Sequence, residues 1–261
     1  MEITTLLGII TGLIAVIGAM IFKKISFTVL LNPAAFFVII VGTIATILNS
    51  YPGKNLKCLG QLFKIIFTKK RGATTFDVIK LMSDLSAISK KEGLLALESE
   101  LENIDDPFIK KGIRLAIDGM DGEDIADILE NEVSAMEERH EVNASIFSSA
   151  GTYAPTLGVL GAVFGLIAAM SHIDDTAAMA EAIAAAFIAT ILGIFTGYVL
   201  WNPFAKKLKV KSHEEALLKS IIIEGVLSIQ KGESSLIIQE KLLSLIPQHE
   251  QVKIREALNQ D

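Results

Sequence analysis

Four stretches of the chain carry no Asp, Glu, Lys or Arg. They run between Glu2 and Lys23, from Ile25 to Gly53, from Val142 to Ile173 and from Ala182 to Ala205. Each can supply the roughly 20 apolar residues that cross a bilayer as a helix. Elsewhere the apolar positions fall at steps of three and four, as in Phe76, Ile79, Met82, Leu85 and Ile88, and again in Ile125, Ile128, Leu129 and Val133. That period predicts amphipathic helices, and no sustained alternation of period two argues for a sheet. Gly93, Asp105-Asp106-Pro107 and Asp121-Gly122 punctuate the run. The acidic helix around Glu132, Glu137 and Glu141 leads directly into the third span. The tail repeats the helical pattern at Leu217, Leu218, Ile221, Ile222 and Val226, and Pro247 interrupts it. The expected architecture is all-α: a polytopic membrane protein with four transmembrane helices and a helical cytoplasmic domain. Residues 1–50 hold spans one and two, 51–144 the cytoplasmic domain, 145–205 spans three and four, and 206–261 a cytoplasmic helical tail.

Composition agrees with a chain that is part membrane and part water-exposed. Of 261 residues, 51% are hydrophobic and 21% charged, with a mean hydropathy of +0.49. A soluble domain is less apolar, and a chain wholly in lipid is less charged. A net charge of −6 points away from nucleic acid. A single cysteine, Cys58, excludes an intrachain disulfide and a multi-cysteine metal site. It reads as a small juxtamembrane hydrophobe, with palmitoylation as the alternative. No basic residue precedes the first span, and Lys23-Lys24 follow it, so it reads as an uncleaved first helix rather than a signal peptide.

Flanking charge orients the spans. Lys54, Lys57, Lys64, Lys69, Lys70 and Arg71 follow span two, and Lys206, Lys207, Lys209 and Lys211 follow span four. The link between spans three and four offers Asp174, Asp175 and Glu181 and no base. Basic residues favour the cytoplasmic side. Lys23 and Lys24 dissent but are outnumbered. Both termini and both charged segments are therefore expected in the cytoplasm.

No catalytic constellation is present: there is no phosphate-binding glycine loop, no nucleophile elbow and no HExxH. His140, His172, His213 and His249 are scattered, with no acid or cysteine at ligand spacing. No cofactor, no metal and no enzyme activity are expected. Ion pathways usually show an ionisable residue inside the membrane. Here every such residue lies outside the spans, so either the chain moves no ion or a partner brings the group.

The spans themselves differ. Gly8 and Gly12, Gly161 and Gly165, and Gly193 and Gly197 recur at four-residue intervals, a spacing that lets helix backbones approach in lipid. Span three also carries Ser145, Ser148, Ser149, Thr152, Tyr153, Pro155 and Thr156, and span four carries Thr190 and Thr196. Such hydroxyls either bond their own backbone or line a wet or protein-facing surface. Pro155 removes one backbone hydrogen bond; it marks either an ordinary kink or a mobile, solvated point.

At this level of detail the chain resembles the MotA family, the larger stator subunit of the flagellar motor. The resemblance rests on the four-span layout, on Tyr153-Ala154-Pro155-Thr156-Leu157-Gly158-Val159-Leu160-Gly161, and on Ala189-Thr190-Ile191-Leu192-Gly193-Ile194-Phe195-Thr196-Gly197-Tyr198 followed by Asn202-Pro203. It implies a homopentamer around two copies of a single-span MotB-like partner whose aspartate carries the ion. Pro155 matches the family proline near that aspartate, with Tyr153 beside it on the pathway. Thr190 matches the span-four hydroxyl on the ion path, and Pro203 a second proline at the inner membrane face. Lys90, with Lys91 able to share its role, and Glu98 match the charges that meet a FliG-like rotor protein. From the residues alone these three read as a solvated helix face. Sodium-driven, PomA-like relatives carry threonine where Ala162 and Ala189 stand here, so the resemblance implies proton coupling. The alternative is an ExbB/TolQ-type subunit that energises outer-membrane processes, though such relatives usually have three spans. A passive membrane scaffold is the reading of a different class.

Overall fold

In lipid a peptide group finds no water to bond, so a charge-free span must satisfy its backbone internally. The structure, a computed structural model, describes residues 2–26, 30, 32–69 and 72–258, and every regular element among them is helical. Four helices are long and apolar enough to cross a membrane: α1 (Ile3–Phe22), α2 (Pro33–Ser50), α6 (Gly122–Ser171) and α7 (Thr176–Gln230). Between α2 and α6 lie α3 (Leu59–Phe67), α4 (Thr75–Glu92) and α5 (Pro107–Ile117). After α7 come α8 (Ser235–Ser244) and α9 (Gln248–Leu258). The chain is an all-α, multi-pass membrane protein.

Caps, rather than hydropathy, fix where α2 and α7 begin. Asn32 accepts the Ala34 and Ala35 N–H groups at 3.0 and 3.2 Å, and Pro33 fits the first helical position because it has no donor to waste. The second helix therefore starts well after the charge-free stretch does. Residues 27–29 and 31 of that stretch lie outside the described residues, as do Lys70 and Arg71 of the basic flank. Asp175 likewise caps α7 through Ala177 and Ala178, at 3.0 and 3.1 Å. Glu181 is thus helical and not part of a link. At its other end α7 does not stop at Pro203. That residue cannot donate to the Val199 carbonyl, and its ring would crowd it. The helix absorbs the conflict by widening into a π turn over Thr196–Trp201 and continues as an α-helix over Asn202–Gln230.

The chain divides into two compact units, Met1–Lys70 with His140–Val210, and Arg71–Arg139 with Lys211–Asp261. In the first, α3 is an amphipathic helix that the sequence pattern of basic residues had concealed. Its Leu62 and Ile66 are buried with Phe147 and Phe204. Phe63, Phe147, Trp201 and Phe204 pack with ring centroids 5.2–6.4 Å apart, edge to face except for the tilted Phe147–Trp201 pair. Lys207 bonds Glu2 at 3.1 Å and the hydroxyls of Thr4 and Thr5.

The second unit has a core of its own, built from Ile79 and Met82 of α4, Ile113 of α5, Leu129 of α6, Val226 of α7 and Leu242 of α8. Glycine sets two close approaches there: a Cβ on Gly112 would lie 2.9 Å from Val226, and one on Gly225 2.7 Å from Met82. Lys241 joins the end of α7 to α8 by pairing with Glu224 at 3.4 Å and Glu233 at 2.7 Å. That ammonium holds the Glu233 carboxyl below its ordinary range, and the carboxylate raises the lysine in return.

A capping box starts α4. Asp77 N–H donates to Thr74 Oγ1 at 3.2 Å, and the Thr74 N–H and hydroxyl each donate to the Asp77 carboxylate at 2.7 Å. The hydroxyl and then the N–H hold the Asp77 carboxyl below its usual value. A depressed carboxyl stabilises the fold above its unfolded pKa, about 4, and the contribution is lost as pH falls through the folded value. Thr74→Ala should cost about 1 kcal/mol in thermal unfolding of the purified protein at neutral pH. Asp77→Asn should erase this site's share of the acid sensitivity below about pH 4.

Candidate functional site

The sites suggested by the sequence fall into two groups, one in each unit. Within the first unit, α6 and α7 run antiparallel with almost nothing between them but small residues. The contact can be followed turn by turn from where a Cβ would sit on each glycine. On Gly197 it would lie 2.7 Å from the Gly151 carbonyl oxygen and 2.8 Å from Pro155 Cγ. On Gly193 it would lie 2.7 Å from the Ala154 carbonyl oxygen. On Gly158 it would lie 2.8 Å from the Ala189 carbonyl oxygen, and on Gly161 3.0 Å from Ala189 Cβ. On Gly165 it would lie 2.7 Å from Ala186 Cβ. Gly151 itself faces the Asn202 side chain. Two backbones this close gain dispersion contacts that larger side chains would forbid.

Pro155 sits in this seam, half-buried, inside an otherwise continuous helix. Its missing N–H leaves the Gly151 carbonyl without its helical donor. The Gly197 backbone lies against that same carbonyl, where an added Cβ would come within 2.7 Å. Ala189 is 2% exposed and points at Gly161, while Thr190 Cα lies against Gly158. Ala162 and Tyr153 are half-buried on α6. The structure thus brings Pro155, Ala189 and Thr190 onto one seam, spread over about two turns.

The hydroxyls of these helices bond inward. Thr190 Oγ1 donates to Ala186 O at 3.4 Å, Thr196 to Leu192 O at 2.8 Å, Thr152 to Ser148 O at 3.0 Å and Thr156 to Tyr153 O at 2.7 Å. The Tyr51 hydroxyl, at the end of α2, meets Ser145 at 3.0 Å and Ser149 at 2.7 Å. With its polar atoms so occupied the seam has no carrier of its own, and among the described residues no cluster of His, Cys, Asp or Glu could hold a metal.

In the second unit, Lys90 and Lys91 occupy the last turn of α4, where cations oppose the helix dipole. Gly93 then takes a φ of 89°, a conformation that side-chain-bearing residues rarely adopt, and turns the chain into the short helical segment Leu97–Glu100. Lys90 and Glu98 are exposed, and Lys91 makes only a surface pair with Glu92 at 3.3 Å.

Sequence reasoning missed Gly151, Ala154, Gly158 and Ala186 as contact residues. The signal was there: Gly151, Gly158 and Gly165 recur every seven residues, which keeps one face of a helix small. It also grouped Gly8 with Gly12. Only at Gly12 would an added Cβ meet a close neighbour, Val199 Cγ1 at 2.7 Å, and Gly8 has open space beside it.

Residues 100–220 match the family model of the MotA/TolQ/ExbB proton channel family. Motility protein A of Bacillus subtilis is 48% identical over 98% of this chain and 95% of its own length. The chain belongs to the MotA family. Chemotaxis protein PomA of Vibrio alginolyticus is 31% identical over 93% of the chain and 94% of its own length. Among solved structures, a chain of the flagellar MotAB stator complex from Bacillus subtilis superimposes with a TM-score of 0.90 at 49% identity, over 95% of this chain and 97% of that one. A MotA-family chain with so tightly packed a seam should tolerate added volume unevenly. Gly193→Ala should destabilise the purified subunit by about 1–3 kcal/mol, the usual cost of overpacking. Gly8→Ala should leave its melting temperature near the parent value.

Proposed function

We propose that this chain is the larger stator subunit of a flagellar motor, assembling as a pentamer around a MotB-like single-span partner to form a proton channel that drives the rotor. The observation that carries this reading is the end-to-end likeness to a MotAB stator chain. The ExbB/TolQ alternative gains nothing from it, and the relative named Motility protein A from Bacillus subtilis matches 98% of the chain.

The chain's part in the mechanism follows from what it lacks. Its spans hold no acid, so the partner's aspartate carries the proton past Pro155 and Thr190. The seam between α6 and α7 is packed backbone to backbone and keeps its threonine hydroxyls on its own main chain, which makes this subunit a wall of the pathway rather than a ligand set. Ala162 and Ala189 add no oxygen, which suits a proton better than a hard cation in need of oxygen ligands. Each charge crossing about 100 mV releases roughly 2.3 kcal/mol. A neutralised aspartate has less reason to stay in a wet site and can pass to the next subunit, so successive transfers turn the ring. Both termini and the charged unit lie in the cytoplasm, where Lys90, assisted by Lys91, and Glu98 engage the FliG-like rotor. Pro203, just past the π turn of α7, sits at the inner membrane face.

Deletion of the gene should leave cells flagellated but paralysed; normal swimming would refute the reading. Pro155→Leu and Thr190→Ala should each abolish swimming while the complex still assembles with its partner on purification. Retained motility in both variants would remove these residues from the pathway. The double reversal Lys90→Glu with Glu98→Lys should weaken rotor engagement, and the salt dependence of swimming should change with it if long-range attraction contributes.

A further inference from the structure

Two π turns of the first unit border one space. Where a single turn holds an extra residue, its side chains leave the register of the helices packed against it. The π turn Phe37–Val41 of α2 brings Ile39 and Ile40, and that of α7 brings Thr196 and Trp201, to an apolar cleft of about 230 Å³. Its floor is buried: Ile39, Thr43, Ile146, Phe147 and Ala150 are each at most 4% exposed. Its rim is open, because Ile40 and Ile44 are exposed. At the end away from Ile39 it is bounded by Leu59 and Phe63, one turn apart on α3. The space is larger than the roughly 150 Å³ at which an apolar cavity takes up benzene. A buried water needs two to four polar partners. The lining side chains offer only the Thr43 and Thr196 hydroxyls, and Thr196 already bonds the Leu192 and Gly193 carbonyls.

Beside this apolar slot stand cations without partners. Lys54 and Lys57 lie between α2 and α3, Lys64 lies on α3 and Lys69 just after it, and all four are exposed. None of them makes an ion pair among the described residues. Other lysines of the unit are paired, Lys207 with Glu2 at 3.1 Å and Lys209 with Glu141 at 2.6 Å. Lys57, Gln61 and Lys64 follow one another at steps of four and three, so they share a face, and Leu59, Leu62, Phe63 and Ile66 form another. α3 thus sets a basic face next to an apolar one that ends at the cleft.

We propose that the cleft is a binding site for an anionic phospholipid, with one acyl chain between α2, α6 and α7 and the phosphate at Lys57 and Lys64. Charge chooses this occupant. An acyl chain gains little by leaving lipid for an apolar cleft, so the headgroup must hold the molecule there. Basic segments next to a membrane helix attract anionic lipid. A second copy of this chain would have to bring carboxylates to the same lysines. The acids that border the apolar spans on the side of α3 are Glu2, whose N–H bonds Phe67 O, and Glu141, and both are already taken by lysines. The inference needs only the membrane placement of α2, α6 and α7, and it goes beyond the motor reading.

Trp201 is the only tryptophan of the chain and lines the cleft, so its fluorescence reports the occupant. The full chain, in complex with a tryptophan-free variant of its MotB-like partner, is reconstituted into vesicles of phosphatidylcholine and phosphatidylglycerol in equal parts. Bromine is carried on the acyl chains of one lipid or of the other. Quenching of Trp201 should show phosphatidylglycerol bound about tenfold better than phosphatidylcholine, the order expected of two lysines near an anionic headgroup. Added salt should shrink the difference. Lys57→Gln with Lys64→Gln should bring the ratio close to one, and Lys253→Gln on α9 should leave it unchanged. Ala150→Leu, which fills the floor, should weaken quenching by both lipids. The lysine variant changes only exposed side chains and decides the matter if the Ala150 variant fails to fold. Equal quenching by the two lipids in the parent, or a preference retained in the double lysine variant, would overturn the proposal. Quenching by neither lipid would assign the cleft to a contact between copies of this chain and overturn it as well.

Discussion

Steric exclusion along the seam between α6 and α7 is the constraint on which the membrane unit depends. Lipid tails are as apolar as leucine, so two helices gain little by hiding greasy side chains from lipid. What they gain comes from backbone approach, and that requires Gly151, Ala154, Gly158, Gly161 and Gly165 on one helix to meet Ala186, Ala189, Gly193 and Gly197 on the other. Once the register is set by these residues, Pro155 has one place to be. Its ring rests on Gly197, and the carbonyl it orphans is covered by the same glycine. The helix runs through Pro155 without a break.

The outer surface has the opposite character. Ile14, Val159, Phe164, Ile167, Phe187 and Tyr198 are each about half exposed or more. Within the subunit only 6% of the apolar window of α1 is buried, against 28% for α7. So much open apolar surface is stable only against lipid or other subunits. α1 and α2 thus read as helices whose packing partners lie partly outside the chain, whereas the second unit encloses a core of its own with Ile79, Ile113, Ile125, Ile221 and Ile229 at 0–1% exposure.

The long helices were readable because lipid removes alternatives. A charge-free run of this length can only be a helix, and α1 ends within a residue of the charges that bound its stretch. Ends defined by local hydrogen bonds were read less well. The start of α2 depends on Asn32 and that of α7 on Asp175, single polar residues whose role as caps hydropathy does not register. α3 was hidden because its Leu62 and Ile66 lie among lysines that dominated the reading of charge. Pro203 seemed a natural end, but a helix can trade an α turn for a π turn at small cost when packing holds both sides.

By itself, then, the sequence determined the helical class, the four apolar spans, the absence of an ionisable group within them and the membership of a family through its span-three and span-four motifs. These follow from composition and local order, which act on each segment regardless of its neighbours. Only the tertiary structure decided which glycines meet, that Gly197 shelters the carbonyl freed by Pro155, that Ala189 faces Gly161, and that Ile39 and Phe63 share a cleft with Trp201. Those are distances between residues 15 or more positions apart in most cases, fixed by the volume available between packed helices, and no pattern along the chain encodes volume directly.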